Sequence, residues 1–212
     1  MFFLVFEGLD GSGKSSLMSA LASYLDSRQQ KYIRTREPGG TPLGDQIREL
    51  ILSHSGDQHP VARAELLLYE ASRAQHVEKI IRPALKNNQW VLCDRYSASS
   101  LAFQGGGREI NNLDIVWLNE FATAKLHPHL TILLDLSVEA SQSRRQQRTQ
   151  TTGQAEDRIE AETDAFHQRV RQSFLNQARN GNDDWLVLDA TKTQEQLFKE
   201  LLQALQVRKW VN

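Results

Sequence analysis

The chain of 212 residues is poor in several features that define whole classes of protein. It contains a single cysteine, Cys93, which excludes an intramolecular disulfide and a metal site built from several cysteines. Its apolar stretches are far shorter than the roughly 20 residues that cross a bilayer. Its net charge is −1, so no general excess of positive charge attracts nucleic acid or an anionic membrane.

The features that are present are those of an ordinary globular protein, with 40% hydrophobic and 24% charged residues. A chain of this length can bury a sizeable core in one domain. Because we find neither an internal repeat nor a linker, we expect a single domain over 1–212. The N-terminal apolar run is too short for a signal peptide and has no basic residues before it. We therefore expect a cytoplasmic protein, with neither nucleic acid nor a membrane as partner.

Five short apolar runs alternate with helical patterns along the chain. Each run is followed by polar or glycine-rich residues, which is typical of buried parallel strands separated by helices. We therefore predict an α/β fold of three layers, a five-stranded parallel sheet flanked by helices. The predicted strands are Phe2–Phe6, Tyr32–Thr35, Trp90–Cys93, Leu130–Leu136 and Trp185–Leu188. A long helix is predicted over about 62–84, and another over about 164–179.

The segment after the first predicted strand is the most informative. Residues 8–15 match the phosphate-binding pattern G-x-x-x-x-G-K-[ST] at every fixed position. Glycines let backbone N–H groups approach phosphate oxygens, and the positive end of the following helix strengthens the attraction. The alternative is a glycine-rich turn that binds nothing. We favour a nucleoside triphosphate site, and the predicted ATP-binding residues are Gly8, Leu9, Asp10, Gly11, Ser12, Gly13, Lys14 and Ser15.

Asp94 ends the third predicted strand, directly before Arg95. In a parallel sheet this carboxylate faces the phosphate loop, where it and the Ser15 hydroxyl are suited to hold Mg²⁺. The alternative is a carboxylate that caps the next helix. We favour the metal role, because a neighbouring carboxylate and guanidinium suit a cation together with a phosphate.

Three further segments are ambiguous when each is taken alone. Residues 36–41, Arg-Glu-Pro-Gly-Gly-Thr, predict either a loop with an exposed salt bridge or a rigid wall for a second substrate. Residues 105–107, three glycines, predict flexible backbone. Residues 143–158 are polar and contain Arg144, Arg145, Arg148 and Arg158. They predict either a mobile loop or, as we favour, a lid that brings guanidinium groups to a transferring phosphate.

Together these segments resemble bacterial thymidylate kinases, in order and over nearly the whole chain. The matching segments are 7–15, 35–41, 69–73, 94–96, 103–108 and 157–160. The resemblance implies a P-loop kinase fold and a nucleoside monophosphate kinase. Such an enzyme transfers the γ-phosphate of ATP to dTMP, giving dTDP for dTTP synthesis, with Mg²⁺. It also implies a homodimer packed through helices on one side of the sheet.

The resemblance further implies roles for single residues. Asp10 would approach the acceptor phosphate or its metal, which makes it a third candidate metal ligand beside Ser15 and Asp94. The implied substrate-binding residues are Glu37, Arg48, Tyr69, Arg73, Arg95, Ser100, Phe103 and Gln104. Among these, Arg48 and Arg95 would grip the dTMP phosphate, and Tyr69 would stack on thymine where Phe is more usual. The phosphate loop carries no arginine, so the chain resembles members whose lid supplies it; the candidate catalytic residues are Lys14, Asp10, Arg95, Arg148 and Arg158.

Other nucleotide-binding proteins fit the residues less well. A deoxynucleoside kinase would need a carboxylate base for a neutral hydroxyl, and the phosphate-gripping arginines would then lack a purpose. A GTP-driven switch would carry Asn-Lys-x-Asp to read guanine, and the chain has no such segment. A partitioning ATPase would carry an early lysine in the phosphate loop, whereas positions 9–12 contain none.

Overall fold

The computed structural model describes residues 1–53, 59–153, 155–181 and 184–211. Five parallel strands form one sheet in the order β2-β3-β1-β4-β5. The strands are β1 Phe3–Glu7, β2 Tyr32–Arg36, β3 Trp90–Asp94, β4 Leu130–Asp135 and β5 Trp185–Asp189. The predicted α/β fold with a five-stranded parallel sheet is confirmed. Strands β2 and β3 lie on one side of β1, and β4 and β5 lie on the other, so the direction of the connections reverses at β1. Ligands of such folds bind at the carboxyl ends of the strands next to this reversal.

Helices connect the strands. They are α1 Lys14–Ser27, α2 Pro42–Leu52, α3 Ala62–His76, α4 Arg82–Lys86, α5 Ser97–Ser100, α6 Asn112–Thr123, α7 Val138–Thr152, α8 Asp164–Asn180 and α9 Gln194–Val207. Several begin at a residue whose side chain accepts a backbone N–H of the first turn, as Thr41, Ser137 and Thr193 do. No helix of the described residues is both long and apolar enough to cross a membrane.

The long helix predicted over 62–84 exists as a helical path with a wider turn inside it. Helix α3 continues into a π-helical turn, Val77–Ile81, and then into α4, which ends at Lys86. Pro83 lies in the first turn of α4, where a residue without N–H is tolerated. Val77 and Ile81 are fully buried against β1 and β3, so this turn forms part of the core.

Alternate residues of β1 serve the two faces of the sheet, as the pleat of a strand requires. Leu4 and Phe6 pack with residues of α1 and α9 on one face. Phe3 and Val5 pack with Val77 and other residues on the opposite face. The sheet is therefore covered on both sides, and the predicted three-layer arrangement is confirmed.

Two predicted irregular segments are helical. Most of the polar stretch at 143–158 belongs to α7, because Ser137 caps that helix and its Arg and Gln residues are good helix formers. Residue 154 lies outside the described part of the chain. The glycines at 105–107 are not flexible loop either: they end a π-helical turn, Leu101–Gly107, that packs against α8.

Candidate active site

The phosphate loop lies between β1 and α1. Gly8 has φ 132°, and a Cβ atom there would overlap the Leu134 carbonyl oxygen of β4, so this position accepts glycine alone. Lys14 begins α1, and its buried Nζ donates to the carbonyl oxygens of Gly8 and Leu9 at 3.1 Å each. Burial lowers the pKa of the Lys14 ammonium, and the charge of Arg95 adds to this effect. The lysine therefore links α1 to the start of the loop and places a positive charge inside the loop.

A cleft of about 1020 Å³ opens beside this loop. Its wall contains Lys14 and Ser15 together with six arginines, which are Arg36, Arg48, Arg95, Arg144, Arg145 and Arg148. Guanidinium groups form strong charge-assisted hydrogen bonds with phosphate oxygens. The cleft is therefore suited to a polyphosphate.

Ser15 and Asp94 meet in the same cleft, where the Ser15 hydroxyl donates to Asp94 Oδ2 at 3.4 Å. Mg²⁺ is commonly held by one or two protein oxygens together with phosphate oxygens and water. The described residues contain no group of three or more His, Cys, Asp or Glu side chains able to enclose a metal. The pair therefore fits a Mg²⁺ ion that arrives with a nucleotide better than a metal bound by protein alone.

Arg95 stands at the junction of this cleft and a second one. Its backbone has φ 71°, an uncommon conformation for a residue with a side chain. Its Nη2 donates to Asp10 Oδ1 at 2.8 Å, and its guanidinium lies 4.9 Å from the centre of the Phe103 ring. Burial raises the pKa of Asp10, but the charges of Arg95 and Lys14 outweigh this and hold it well below its usual range. Asp10 is therefore an ionised partner of Arg95.

The second cleft, of about 530 Å³, contains all eight residues implied for the acceptor. It shares Asp10, Glu37, Arg48 and Arg95 with the polyphosphate cleft. Away from this shared wall it is lined by Tyr69, Arg73, Ser100, Phe103 and Gln104, among others. A charged wall toward the phosphate loop thus passes into a pocket with aromatic and hydrogen-bonding side chains, although the roles of these residues stay predictions.

Arg73 is fully buried in a polar network. Its Nε donates to Glu37 at 2.7 Å, and its Nη1 donates to Ser100 and Asn119 at 2.8 Å each and to Glu70. Burial alone would lower the pKa of Arg73, but the charges of Glu70 and Glu37 outweigh this effect and raise the pKa above its usual value. Sequence reasoning singled out neither Glu70, which lies three positions before Arg73 within the matching segment 69–73, nor Asn119, which is 46 positions away.

The loop at 36–41 contains both an exposed ion pair and a buried carboxylate. Glu37 is buried, and its Oε1 is hydrogen-bonded to His76 Nδ1 at a distance of 2.8 Å. The exposed pair of this loop is Arg36 with Asp45, at 3.5 Å. Glu37 is thus held rigidly as a wall between the two clefts, and it takes part in no solvated salt bridge.

Glu7 is a second group that sequence reasoning did not single out. Its Oε1 accepts the Tyr96 backbone N–H at 2.9 Å, its Oε2 accepts the Ser99 hydroxyl at 2.7 Å, and Arg95 Nη1 lies 3.8 Å away. Burial raises the pKa of Glu7 to about 7, although the Arg95 charge opposes this. Glu7 thereby fixes the backbone at Tyr96, directly after Arg95, and the side chain of Ser99.

The four arginines of the predicted lid have different places. Arg144 donates to the carbonyl oxygens of Gly11 and Ala190, and Arg145 donates to Glu156 and Ser141. Arg148 donates to Glu160 at 2.7 Å, and these three arginines line the polyphosphate cleft. Arg158 lies elsewhere, donating to Ile51 O at 3.0 Å and to Glu65.

The parallel sheet, the phosphate loop and the second cleft, lined by Arg48, Arg73 and Arg95 at the same sheet edge, place the chain among the P-loop kinases. Comparison with known proteins is more specific. The family model described as thymidylate kinase matches residues 6–201. The chain therefore belongs to the thymidylate kinase family.

Individual relatives agree over nearly the full length. The chain is 61% identical to the thymidylate kinase of Bdellovibrio bacteriovorus, covering 99% of this chain and 97% of that protein. It is 42% identical to the thymidylate kinase of Fervidobacterium nodosum, covering 94% and 96%. It is 46% identical to that of a Synechococcus strain, CC9902, covering 96% of each.

Proposed function

We propose that the protein transfers the γ-phosphoryl group of ATP to dTMP and forms dTDP for dTTP synthesis. The observation that carries the proposal is the wall shared by the two clefts, with Asp10, Arg48 and Arg95 between them. A nucleotide in each cleft would bring its phosphate to this wall. The proposed location of the protein is the cytoplasm, where ATP is available as the phosphoryl donor.

The distal part of the acceptor cleft fits a pyrimidine base. Tyr69 and Phe103 provide aromatic faces. Arg73 Nη2 carries two N–H groups and donates to the Tyr96 carbonyl oxygen at 3.0 Å. Among the described residues this leaves an N–H of Nη2 for a carbonyl oxygen of the base, and thymine has one at its 4-position.

The chemistry follows from positioning and charge. The acceptor is a phosphate oxygen that is already ionised at neutral pH, so no strong general base is needed. Lys14 and the cleft arginines would bind the phosphates of ATP. Arg48 and Arg95 would hold the acceptor phosphate so that its oxygen lies in line with the bond that breaks in ATP. Ser15 and Asp94 would hold Mg²⁺, which when bound neutralises charge on the β- and γ-phosphate oxygens.

We propose further that the segment 143–158 acts as the lid, with Arg148 and Arg158 as candidate catalytic arginines. Arg148 is one-third exposed and lines the polyphosphate cleft, so it needs only to exchange Glu160 for a phosphate oxygen. Arg158 would have to leave Glu65 and Ile51 to reach the same place. Closure would also exclude water, which competes as an acceptor.

A coupled ADP-release assay with ATP and Mg²⁺ tests the proposed reaction. We expect kcat/KM for dTMP to exceed the values for dCMP, dAMP and dGMP. Discrimination against dUMP should be weaker, because one methyl group contributes only about 1–3 kcal/mol. A reaction without acceptor measures ATP hydrolysis as the control. A purine monophosphate that reacts faster than dTMP would refute the assignment.

The proposed homodimer has a candidate interface on α6 and α3. Helix α6 exposes Leu113, Trp117 and Phe121, of which Trp117 and Phe121 stack with ring centres 5.9 Å apart. Leu67 of α3 is also exposed. A contiguous apolar face of this kind is typical of a surface that packs against another protein. We expect a dimer in sedimentation velocity and a monomer for the double variant Trp117→Glu and Phe121→Glu; a monomeric wild-type protein would contradict the proposal.

A further inference from the structure

The orientation of the buried side-chain amide of Gln104 bears on which base the acceptor cleft binds. Gln104 lines this cleft and is almost completely buried. A glutamine amide donates hydrogen bonds through Nε2 and accepts them through Oε1. Thymine presents an N–H at its 3-position, whereas cytosine presents an unprotonated nitrogen there. An amide oxygen facing the base would therefore favour thymine, and an amide nitrogen would favour cytosine.

Glu65 of α3 settles which end of the amide is engaged on the protein side. Its Oε1 accepts a hydrogen bond from Gln104 Nε2 at 2.9 Å. Both side chains are buried, and the bond joins α3 to the π-helical turn Leu101–Gly107. The remaining polar atom of the Gln104 amide is Oε1, which is then the atom available to the cleft that Gln104 lines.

Two guanidinium groups keep Glu65 in its ionised form. Arg108 contacts both carboxylate oxygens, with Nε 3.2 Å from Oε1 and Nη2 3.1 Å from Oε2, and Arg158 also donates to Oε2. Burial raises the pKa of Glu65, but hydrogen bonds from Arg108 and Gln104 outweigh this and lower it. An ionised carboxylate accepts hydrogen bonds and donates none, so Gln104 can present only its nitrogen to Glu65.

We propose that Glu65 is a positioning residue that sets base selectivity, because it holds Gln104 with Oε1 as the acceptor for an N–H group of the base. This inference rests on the proposed function, since it concerns the acceptor cleft of that reaction. Glu65 acts without touching the substrate, through one buried hydrogen bond. Its contact with Arg108, which reaches both carboxylate oxygens, keeps it ionised even when Arg158 leaves it on closure of the proposed lid.

The variant Glu65→Gln tests this, because a neutral amide at 65 can accept from or donate to Gln104 and so permits either orientation. We expect the ratio of kcat/KM for dTMP to that for dCMP to fall by roughly 10-fold or more, the effect of mispairing a buried hydrogen bond. The fall should come from a raised KM for dTMP and improved use of dCMP, with kcat for dTMP changing less.

Glu162→Gln is the matched control. It removes the partner of Arg108 Nη1 at 2.6 Å but leaves the contacts of Glu65 with Arg108 and Gln104, so it should lower the melting temperature without changing the dTMP to dCMP ratio. If Glu65→Gln also leaves the ratio unchanged, Glu65 is only structural and the proposal is wrong. A wild-type enzyme with no preference for dTMP would instead refute the proposed function.

A second measurement does not depend on the folding of a variant. The side-chain NH₂ of Gln104 in the ¹³C,¹⁵N-labelled wild-type protein, assigned through the carbon resonances of its own side chain, should exchange its protons with solvent at least 100-fold more slowly than an exposed glutamine. Exchange as fast as that of an exposed glutamine would show that Glu65 does not hold the amide, and would overturn the proposal.

Discussion

Replacing Glu7 with glutamine should change how the stability of the protein depends on pH. Glu7 is fully buried and accepts hydrogen bonds from Tyr96 and Ser99. Burial raises its pKa from 4.5 to about 7. The variant Glu7→Gln keeps the size and polarity of the side chain and removes its titration, so it isolates this one proton.

The sign and size of the effect follow from the pKa. Between pH 4.5 and about 7 the folded protein retains a proton on Glu7 that the unfolded chain has released. The free energy of unfolding therefore decreases as the pH rises through this window, and the stabilisation is fully present below it. A shift of this size corresponds to about 3 kcal/mol. The glutamine variant lacks this loss.

Urea denaturation of both proteins at intervals from pH 4.5 to 8 measures the effect. We expect the free energy of unfolding of Glu7→Gln minus that of the wild type to increase by about 3 kcal/mol across this range. Other titrating groups are common to both proteins and cancel in the difference. Gln203→Ala, at an exposed position of α9, changes no titratable group, so it is the control and should give a flat difference. A flat difference for Glu7→Gln as well would refute the reasoning.

Three further predictions concern the reaction. Lys14→Ala should lower kcat by several orders of magnitude without unfolding the protein, because the charge next to the phosphates is lost; unchanged turnover by a folded variant would remove the phosphate-loop assignment. Asp94→Asn should raise the Mg²⁺ concentration needed for half-maximal rate, measured at fixed ATP, and an unaltered requirement would exclude Asp94 as a ligand of the metal. Arg148→Ala or Arg158→Ala should lower kcat about 10³-fold or more while dTMP binding, measured by calorimetry, changes little. Lysine should restore little of this activity, and near-normal kcat in both alanine variants would rule out both candidates.

The fold was predictable because the three central strands, β1, β3 and β4, are buried on both faces and therefore consist of apolar runs. The strand ends were less predictable. Glu7 and Arg36 are polar residues that close β1 and β2 at the carboxyl edge of the sheet, and both predicted strands stopped one residue before them. The predicted first strand, for example, began and ended one residue early.

The stretch at 143–158 was predicted as a mobile loop or, as favoured, a lid, and the helical structure of its part 143–152 was missed for a different reason. Surface helices are recognised by an apolar stripe, and this segment of α7 has none. It is fixed instead by hydrogen bonds of arginines to distant groups, such as Arg144 to the Gly11 carbonyl. Contacts of that kind leave no periodic pattern.

In the candidate site, the residues that carry a motif were predictable and those that support them were not. Lys14 and Ser15 stand in a fixed spacing. Glu7 and Glu65, by contrast, derive their importance from Ser99 and Gln104, which are 92 and 39 positions away. Long-range pairs of this kind are defined only by the tertiary structure.

The glycines that end the π-helical turn Leu101–Gly107 restrict how the protein can be engineered for heat resistance. Replacing glycine with alanine usually stabilises a compatible site by about 0.4–1 kcal/mol, because the unfolded chain loses freedom. Here a new methyl group would overlap Asn112 at Gly105 and Phe166 at Gly107, and it would lie 2.8 Å from Ser173 Cβ at Gly106. The same turn carries Phe103 and Gln104 into the acceptor cleft. A substitution chosen from helix propensity alone would thus push apart the cleft wall that is proposed to hold the base, so these three positions are best left unchanged in a search for thermostable variants.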